Sequence, residues 1–349
     1  MKIKLFLTFD HELPLGNLKS SYDDALFLPS ERVMDVAERL GVKVVFFTDI
    51  LCALRFKEWD YENFYLPYLS QVETILRRGH DVQLHIHPHW LTSDFRNGKF
   101  IPSEDFSLSD FADNVQVGGI SGVIITSVSA LTDICRKIKP DYRCWAFRAG
   151  GYNIQPKTEE IFKTLYSIGI RYDSSIARGY YFKSSVSKVD FTHLPWQGNW
   201  VVDPQNISLI NSGEGLIEVP IVSIPKKIFE IPTVFKMRRL RSRIPLSHGD
   251  VIHGPGAVSY IDKLRMMICD RMVSFDNYTL SSDYMIKALE YNLNKFGGGD
   301  ELLLSIIAHP KSMGDYSYRL MQEFVDKVRL RFDDVEFLTF SGLENELIC

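Results

Sequence analysis

Val42-Lys43-Val44-Val45-Phe46-Phe47 is the stretch that sets the architecture of this chain. The run is almost unbroken in apolar residues, so it lacks the alternation of a strand with one wet face, and it is too short for an ordinary helix. It reads as a strand covered on both faces, the condition of a parallel sheet flanked by helices. Upstream, Lys2 to Phe9 reads as a first strand. Between the two, a helical pattern follows Pro29, with Ser30 as the expected cap, and stops near Leu40-Gly41.

The same alternation continues downstream. A helix is expected from Tyr68 to Arg78, ended by Gly79, then a strand from Asp81 to His87. Ile120 to Lys139 is helical up to Pro140, and Cys144 to Phe147 is strand-like. A helix opened by Pro156 runs to Ile168, and a short strand begins at Ile170 to Tyr172. An apolar run covers Leu216 to Ile224; later come a helix Ser281–Phe296, a strand Leu302–Ala308, a helix Tyr316–Arg331 and a strand Val335–Thr339. Strand–helix alternation on this scale implies right-handed crossovers and an α/β fold, its parallel sheet open or closed into a barrel. Residues 1–349 are expected to form a single barrel domain. Only the stretch 182–260, rich in Pro, Gly, Ser and Asn, breaks the rhythm, and it reads as an insertion or cap. Its basic cluster, Lys236, Arg238, Arg239, Arg241 and Arg243, reads as a solvated cap surface or as a grip on a diphosphate or anionic lipid.

Composition sets outer bounds. The chain has 349 residues, 45% of them hydrophobic and 24% charged, which is ordinary for a globular protein and excludes a disordered or fibrous one. A formal net charge of −4 argues against general attraction to nucleic acid. Five cysteines without a CxxC pair suggest reduced thiols, and the apolar run at the N-terminus is too short for a signal-peptide core. No stretch reads as a membrane span, so the expectation is a cytoplasmic protein. No pattern sets its oligomeric state.

Chemistry concentrates at four strand ends. In Thr8-Phe9-Asp10-His11-Glu12, extended geometry puts Asp10 and Glu12 on one face and Phe9 and His11 on the other. Two neighbouring carboxylates repel unless a cation or proton offsets them. In Asp81-Val82-Gln83-Leu84-His85-Ile86-His87-Pro88-His89-Trp90, His85 and His87 leave the strand on its polar side, and His89 follows the break at Pro88. Clustered imidazoles with a carboxylate suit zinc or a similar divalent ion. Phe147-Arg148-Ala149-Gly150-Gly151-Tyr152 offers a guanidinium that can orient a carboxylate, followed by a glycine turn that lets backbone approach a ligand. Leu303 to Pro310 delivers His309 to the end of a buried strand. In parallel α/β folds the strand C-termini are where catalytic groups gather.

These segments together resemble the polysaccharide deacetylases of carbohydrate esterase family four, the nodulation-type deacetylase homology domain. Thr8-Phe9-Asp10, His85 with His89, Arg148 through Tyr152, Tyr172-Asp173-Ser174-Ser175, and Ser305 through Pro310 carry the likeness, in order. It covers roughly residues 1 to 180 and 300 to 340. The resemblance implies a distorted (β/α)7-type barrel and a divalent metal, most often zinc. It also implies hydrolysis of an N-acetyl or O-acetyl group on a sugar or glycan precursor. Asp10 would be the general base, His85 and His89 ligands, and Arg148 the partner of Asp10. The Tyr152 amide would help bind the oxyanion. His309 would protonate the leaving amine, tuned by Asp173. Gly151, Tyr152 and Trp90 would line the sugar site.

Where the family has a second aspartate after the base, this chain has His11. Strand geometry favours Glu12 as the acidic ligand, with His11 as fallback and His87 as an alternative histidine. Without an export signal, a precursor of a surface glycan, such as a nucleotide-sugar or lipid-linked sugar, fits better than a wall polymer. Two further readings are a hydrolase of other C–N bonds, such as those of cyclic ureides, and a catalytically silent glycan-binding module.

Overall fold

The computed structural model describes residues 1–226, 248–249, 258–277 and 279–348. Strands β1 (Lys2–His11), β2 (Val45–Asp49), β3 (Asp81–Ile86), β4 (Ala146–Ala149) and β5 (Tyr172–Asp173) lie side by side and parallel. Further along the chain, β6 (Trp200–Val201) and β7 (Ile217–Glu218) extend the far edge, and β8 (Glu301–Ala308) flanks β1 on the other side. β9 (Val335–Phe337) adds a short pairing to the base of β1. In this nine-stranded sheet only β6 runs antiparallel to its neighbour; seven parallel strands follow in the order β7-β5-β4-β3-β2-β1-β8, and β9 is an eighth, beside β1. Ser305 closes the curl: its N–H donates to the Pro220 carbonyl (3.0 Å) and its carbonyl accepts from Val222 (2.9 Å). The result is a distorted (β/α)7-type barrel.

Two layers of apolar side chains follow from strand alternation. On β1, Ile3, Leu5, Leu7 and Phe9 face the outer helices, among them α1 (Leu28–Arg39), α2 (Ile50–Trp59) and α3 (Leu66–Arg77). Phe6 points the other way, into an inner cluster with Val45, Phe47, Ala146 and Val219, where Phe340 stacks on it at 4.6 Å. The inner face above Phe6 therefore belongs to Thr8, Asp10 and Glu12.

Several expectations are corrected. Ser30 is not a cap: Asp23–Phe27 is already helical, so α1 continues from it with Pro29 in its first turn and Ser30 buried inside. Ile50–Trp59, for which no element is expected, forms α2, which starts from Asp49 as N-cap. The stretch 182–260 is not wholly inserted matter, because β6 and β7 within it belong to the main sheet. Its basic cluster, Lys236 to Arg243, lies outside the described residues. The segment Val115–Arg136 is, by length and composition, long and apolar enough to cross a membrane. Here Ile120, Val123, Ile124 and Leu131 of its helix α4 (Gly119–Arg136) are buried, and Ser121 bonds Thr164 of α5 (Thr158–Ser167) at 2.8 Å. Cys52, Cys135, Cys144 and Cys269 are free and buried.

Candidate active site

The C-terminal ends of β1, β3, β4 and β8 converge on a cavity of about 200 Å³. Asp10, Glu12, His87, Tyr152, His309 and Lys311 line it, with Leu15, Gly151 and Ser312. A larger open cleft of about 590 Å³, over Gln155, Asp190 and Asn206, contains no comparable group of acids and imidazoles.

Asp10 is fixed by Arg148. Arg148 Nη1 donates to Asp10 Oδ1 at 2.6 Å, while Nε donates to the Ser174 carbonyl (2.7 Å) and Nη2 to Ser174 Oγ (3.0 Å). The guanidinium is fully buried and lies 4.2 Å from the centre of the Phe47 ring. A buried charge needs this degree of pairing, since desolvation otherwise costs more than the pair returns. Asp10 Oδ2 is left facing His309 Nε2 at 3.6 Å and His85 Nε2 at 4.0 Å.

Glu12, His85 and His87 bring one carboxylate oxygen and two imidazole nitrogens within 4.8 Å of one another. Alternation along β3 puts His85 and His87 on the side that faces Glu12, as expected from their spacing. His85 Nε2 lies 3.0 Å from Glu12 Oε2, and His87 Nε2 contacts the same oxygen. His85 Nδ1 is 2.8 Å from the carbonyl of Arg148. A carbonyl only accepts, so Nδ1 carries the proton, and in neutral His85 the Nε2 lone pair points at a carboxylate oxygen. Two acceptors facing each other in a buried site call for a cation between them or a proton on the ring. The donor set, two imidazoles and one carboxylate with the tautomer of His85 fixed from behind, fits zinc or a similar divalent ion. Burial alone would raise the Glu12 pKa, but Lys311 and His87 outweigh it and hold the carboxyl well below its ordinary range.

His89 does not join this group. Pro88 turns the chain into a 3₁₀ turn, Pro88–Leu91, which carries the His89 ring into an aromatic pocket beside Trp90 (4.7 Å) and Phe106 (5.8 Å). Neither of its ring nitrogens has a hydrogen-bond partner among the described residues, and burial pushes its pKa well down. His11 is also elsewhere: it points outward, where Nε2 lies 2.6 Å from Gln71 Oε1 and burial lowers its pKa to about 4. Trp90, expected at the sugar, is fully buried and donates from Nε1 to Asp49 Oδ2 at 2.6 Å. Asp49 Oδ1 accepts from the backbone N–H of His87 at 3.4 Å, so Trp90 and Asp49 shape the turn behind the site.

His309 sits at the cavity mouth, with its side chain 19% exposed. Its partner is Asp276, not Asp173: the His309 backbone N–H donates to Asp276 Oδ1 (2.8 Å), and Nδ1 lies 3.0 Å from Oδ2. Burial would lower the His309 pKa, but Asp276, with help from Asp10 and Glu12, lifts it to about 9. Asp173 instead accepts from Ser175 Oγ (2.7 Å), which in turn accepts from the Ala149 N–H (2.9 Å) and fixes the start of the Gly150–Tyr152 turn. That turn runs against His87: a Cβ on Gly150 would lie 2.5 Å from His87 Nδ1. Gly151 and Tyr152 adopt left-handed conformations at the cavity wall (φ 57° and 63°). Sequence reading missed Asp276, Asp49 and Lys311; the Pro310-Lys311 step after His309 is the one local signal among them.

No protein-family model matches this chain, and no curated protein sequence does. Solved structures are similar to it. A protein assigned as a polysaccharide deacetylase, from Mycobacterium smegmatis, covers 99% of this chain and 90% of its own length at 13% identity, with a TM-score of 0.48. One from Pseudomonas aeruginosa, likewise assigned, covers 98% and 90% at 11% identity, with a TM-score of 0.47. An allantoinase covers 96% and 87% at 11% identity, with a TM-score of 0.49. These likenesses run along the whole chain and assign no activity to it.

Proposed function

We propose that this chain is a metal-dependent hydrolase that removes an N-acetyl or O-acetyl group from a sugar or glycan precursor. One observation carries the reading. Asp10, held by Arg148, and His309, held by Asp276, face each other 3.6 Å apart beside the Glu12–His85–His87 group. A base and an acid set beside a Lewis-acid site are what amide or ester hydrolysis requires.

Zinc or a similar divalent ion held by Glu12, His85 and His87 would supply the Lewis acid that activates water and polarises the acyl carbonyl. The chain's own groups do the rest. Arg148 occupies Asp10 Oδ1, so Oδ2 is the atom that accepts the proton of the attacking water. His309, kept protonated by Asp276, gives its Nε2 proton to the departing nitrogen or oxygen. Gly151 and Tyr152 form the wall against which the sugar lies. The cavity's small volume, about 200 Å³, favours a single residue or chain end of a precursor, in keeping with a place in surface-polysaccharide biosynthesis.

Acetate release tests the proposal. The purified chain with zinc is incubated with N- and O-acetylated oligosaccharides and with acetamido nucleotide-sugars. Acetate is expected from at least one of them, and it should be lost in Asp10→Asn and His309→Ala with zinc content retained. Zinc-loaded protein that releases no acetate from any of these compounds refutes the proposal.

A further inference from the structure

Lys311 touches the site in a way that hydrolysis in general does not require. Its Nζ donates to Glu12 Oε1 at 2.7 Å and to the Leu13 carbonyl at 3.1 Å. It arrives from the Pro310–Ser312 turn, directly after His309, and both Lys311 and Glu12 are buried. Glu12 Oε2, in contrast, faces His85 and His87. One carboxylate thus has an ammonium on one oxygen and two imidazoles on the other.

A carboxylate can give a metal ion one oxygen or both. An ammonium anchored on Oε1 by a second bond to a backbone carbonyl takes that oxygen out of use. We propose that Lys311 is a positioning residue that confines Glu12 to ligation through Oε2 alone, so that a coordination position stays open for water and the acyl oxygen. The inference rests on the reading of Glu12, His85 and His87 as metal ligands.

The sign of the effect separates this role from ordinary support. Outer partners of histidine ligands are usually acceptors that make the ring more basic, and losing one typically costs about 10–100-fold in affinity. Lys311 does the reverse: it withdraws electron density from Glu12 and sets a positive charge beside the place where a cation would bind. Removing it should tighten metal binding while impairing turnover. A merely structural ion pair predicts a weakened fold and unchanged or weaker metal binding.

The full chain, freed of metal by a chelator, is titrated with Co²⁺ and Zn²⁺ as wild type, Lys311→Met and Lys311→Arg. For Lys311→Met we expect metal binding about tenfold tighter or more. Its Co²⁺ visible absorption should be weaker per ion, because the ion gains a ligand, and kcat at saturating zinc should be lower. Lys311→Arg, which keeps a charged donor, should retain the wild-type spectrum and affinity. If Lys311→Met does not fold, Lys311→Gln takes its place with the same expectations. Equal or weaker binding with an unchanged spectrum in the neutral variant, while the wild type binds one Co²⁺ per chain, overturns the role of Lys311 alone. A wild type that binds neither ion overturns the ligand reading and this inference with it.

Discussion

Asp276 grips His309 at two points: its Oδ1 accepts the histidine's backbone N–H at 2.8 Å, and its Oδ2 lies 3.0 Å from Nδ1. The pair fixes the orientation of the ring, leaving Nε2 turned toward Asp10. It spans 33 residues of sequence, and a parallel bridge between Ser274 and Ile307, with the Phe275 N–H donating to the Ile307 carbonyl (3.1 Å), brings the two together.

Replacing Asp276 by Asn keeps the shape and removes the charge. Without it the His309 pKa falls from about 9 toward the ordinary histidine range. The acid must be protonated to act, so activity should persist to high pH in the wild type and fail at lower pH in the variant. At pH 8 an imidazole of ordinary pKa is protonated in only about one molecule in thirty, so kcat should drop there by about 30-fold. The measurement is the pH–rate profile with zinc content checked in parallel. An alkaline limb that does not move would remove Asp276 from this role.

Arg148 predicts a stability effect. In Arg148→Met the Asp10 carboxylate stays buried without its guanidinium, and the Ser174 carbonyl and hydroxyl lose their donors. Breaking one side of a buried pair costs about 3–5 kcal/mol, so the urea midpoint should fall sharply. The double variant Arg148→Met with Asp10→Leu should recover much of the loss, because no uncompensated charge remains. A single variant as stable as the wild type would contradict the pairing described.

Much of the barrel was legible because hydrophobic pattern is a local signal. Val45–Phe47, the second half of the run Val42–Phe47, and Leu302–Ala308 read as strands for the reason that makes them so: both faces are covered, whereas the strand starts only after the exposed Lys43. Alternation alone also put Asp10 with Glu12, and His85 with His87. What failed was geometry beyond a strand's end. The spacing between His85 and His89 suited a ligand pair, but Pro88 ends the strand, and the 3₁₀ turn carries His89 into the aromatic pocket. The resemblance puts Trp90 at the sugar, and nothing in the string of residues shows that its indole is buried on Asp49. Asp276 and Lys311 reach the site only when β8 closes the ring. Their roles are properties of the closed fold, not of any segment.

A second pair of carboxyls predicts how stability depends on pH. Asp173 and Glu218 sit opposite each other on β5 and β7, both fully buried. Burial, then the Asp173 charge and hydrogen bond, raises the Glu218 pKa well above 4.5. The folded protein therefore holds a proton that the unfolded chain releases above about pH 4.5. Stability from this group is complete below that pH and is lost as pH rises toward the folded value, by about 1.4 kcal/mol per pH unit. Glu218→Gln mimics the protonated form and should be more stable than wild type at pH 8, with the two converging near pH 4. Urea midpoints at both pH values check this, and a variant less stable at pH 8 would contradict it.

The two histidines on either side of Pro88 separate the observed geometry from the spacing expected of the family. His87 Nε2 contacts Glu12, whereas His89 packs on Trp90 and Phe106. His87→Ala removes one of three donors, so zinc affinity should fall by orders of magnitude and acetate release with it. His89→Phe replaces a neutral, buried ring with an apolar one of similar size, and it leaves no nitrogen without a partner. That variant should bind zinc as the wild type does and match or exceed its stability. Elemental analysis after gel filtration and thermal unfolding read both outcomes. Zinc lost from His89→Phe but kept in His87→Ala would mean that the chain past Pro88 turns the other way, with His89 facing Glu12.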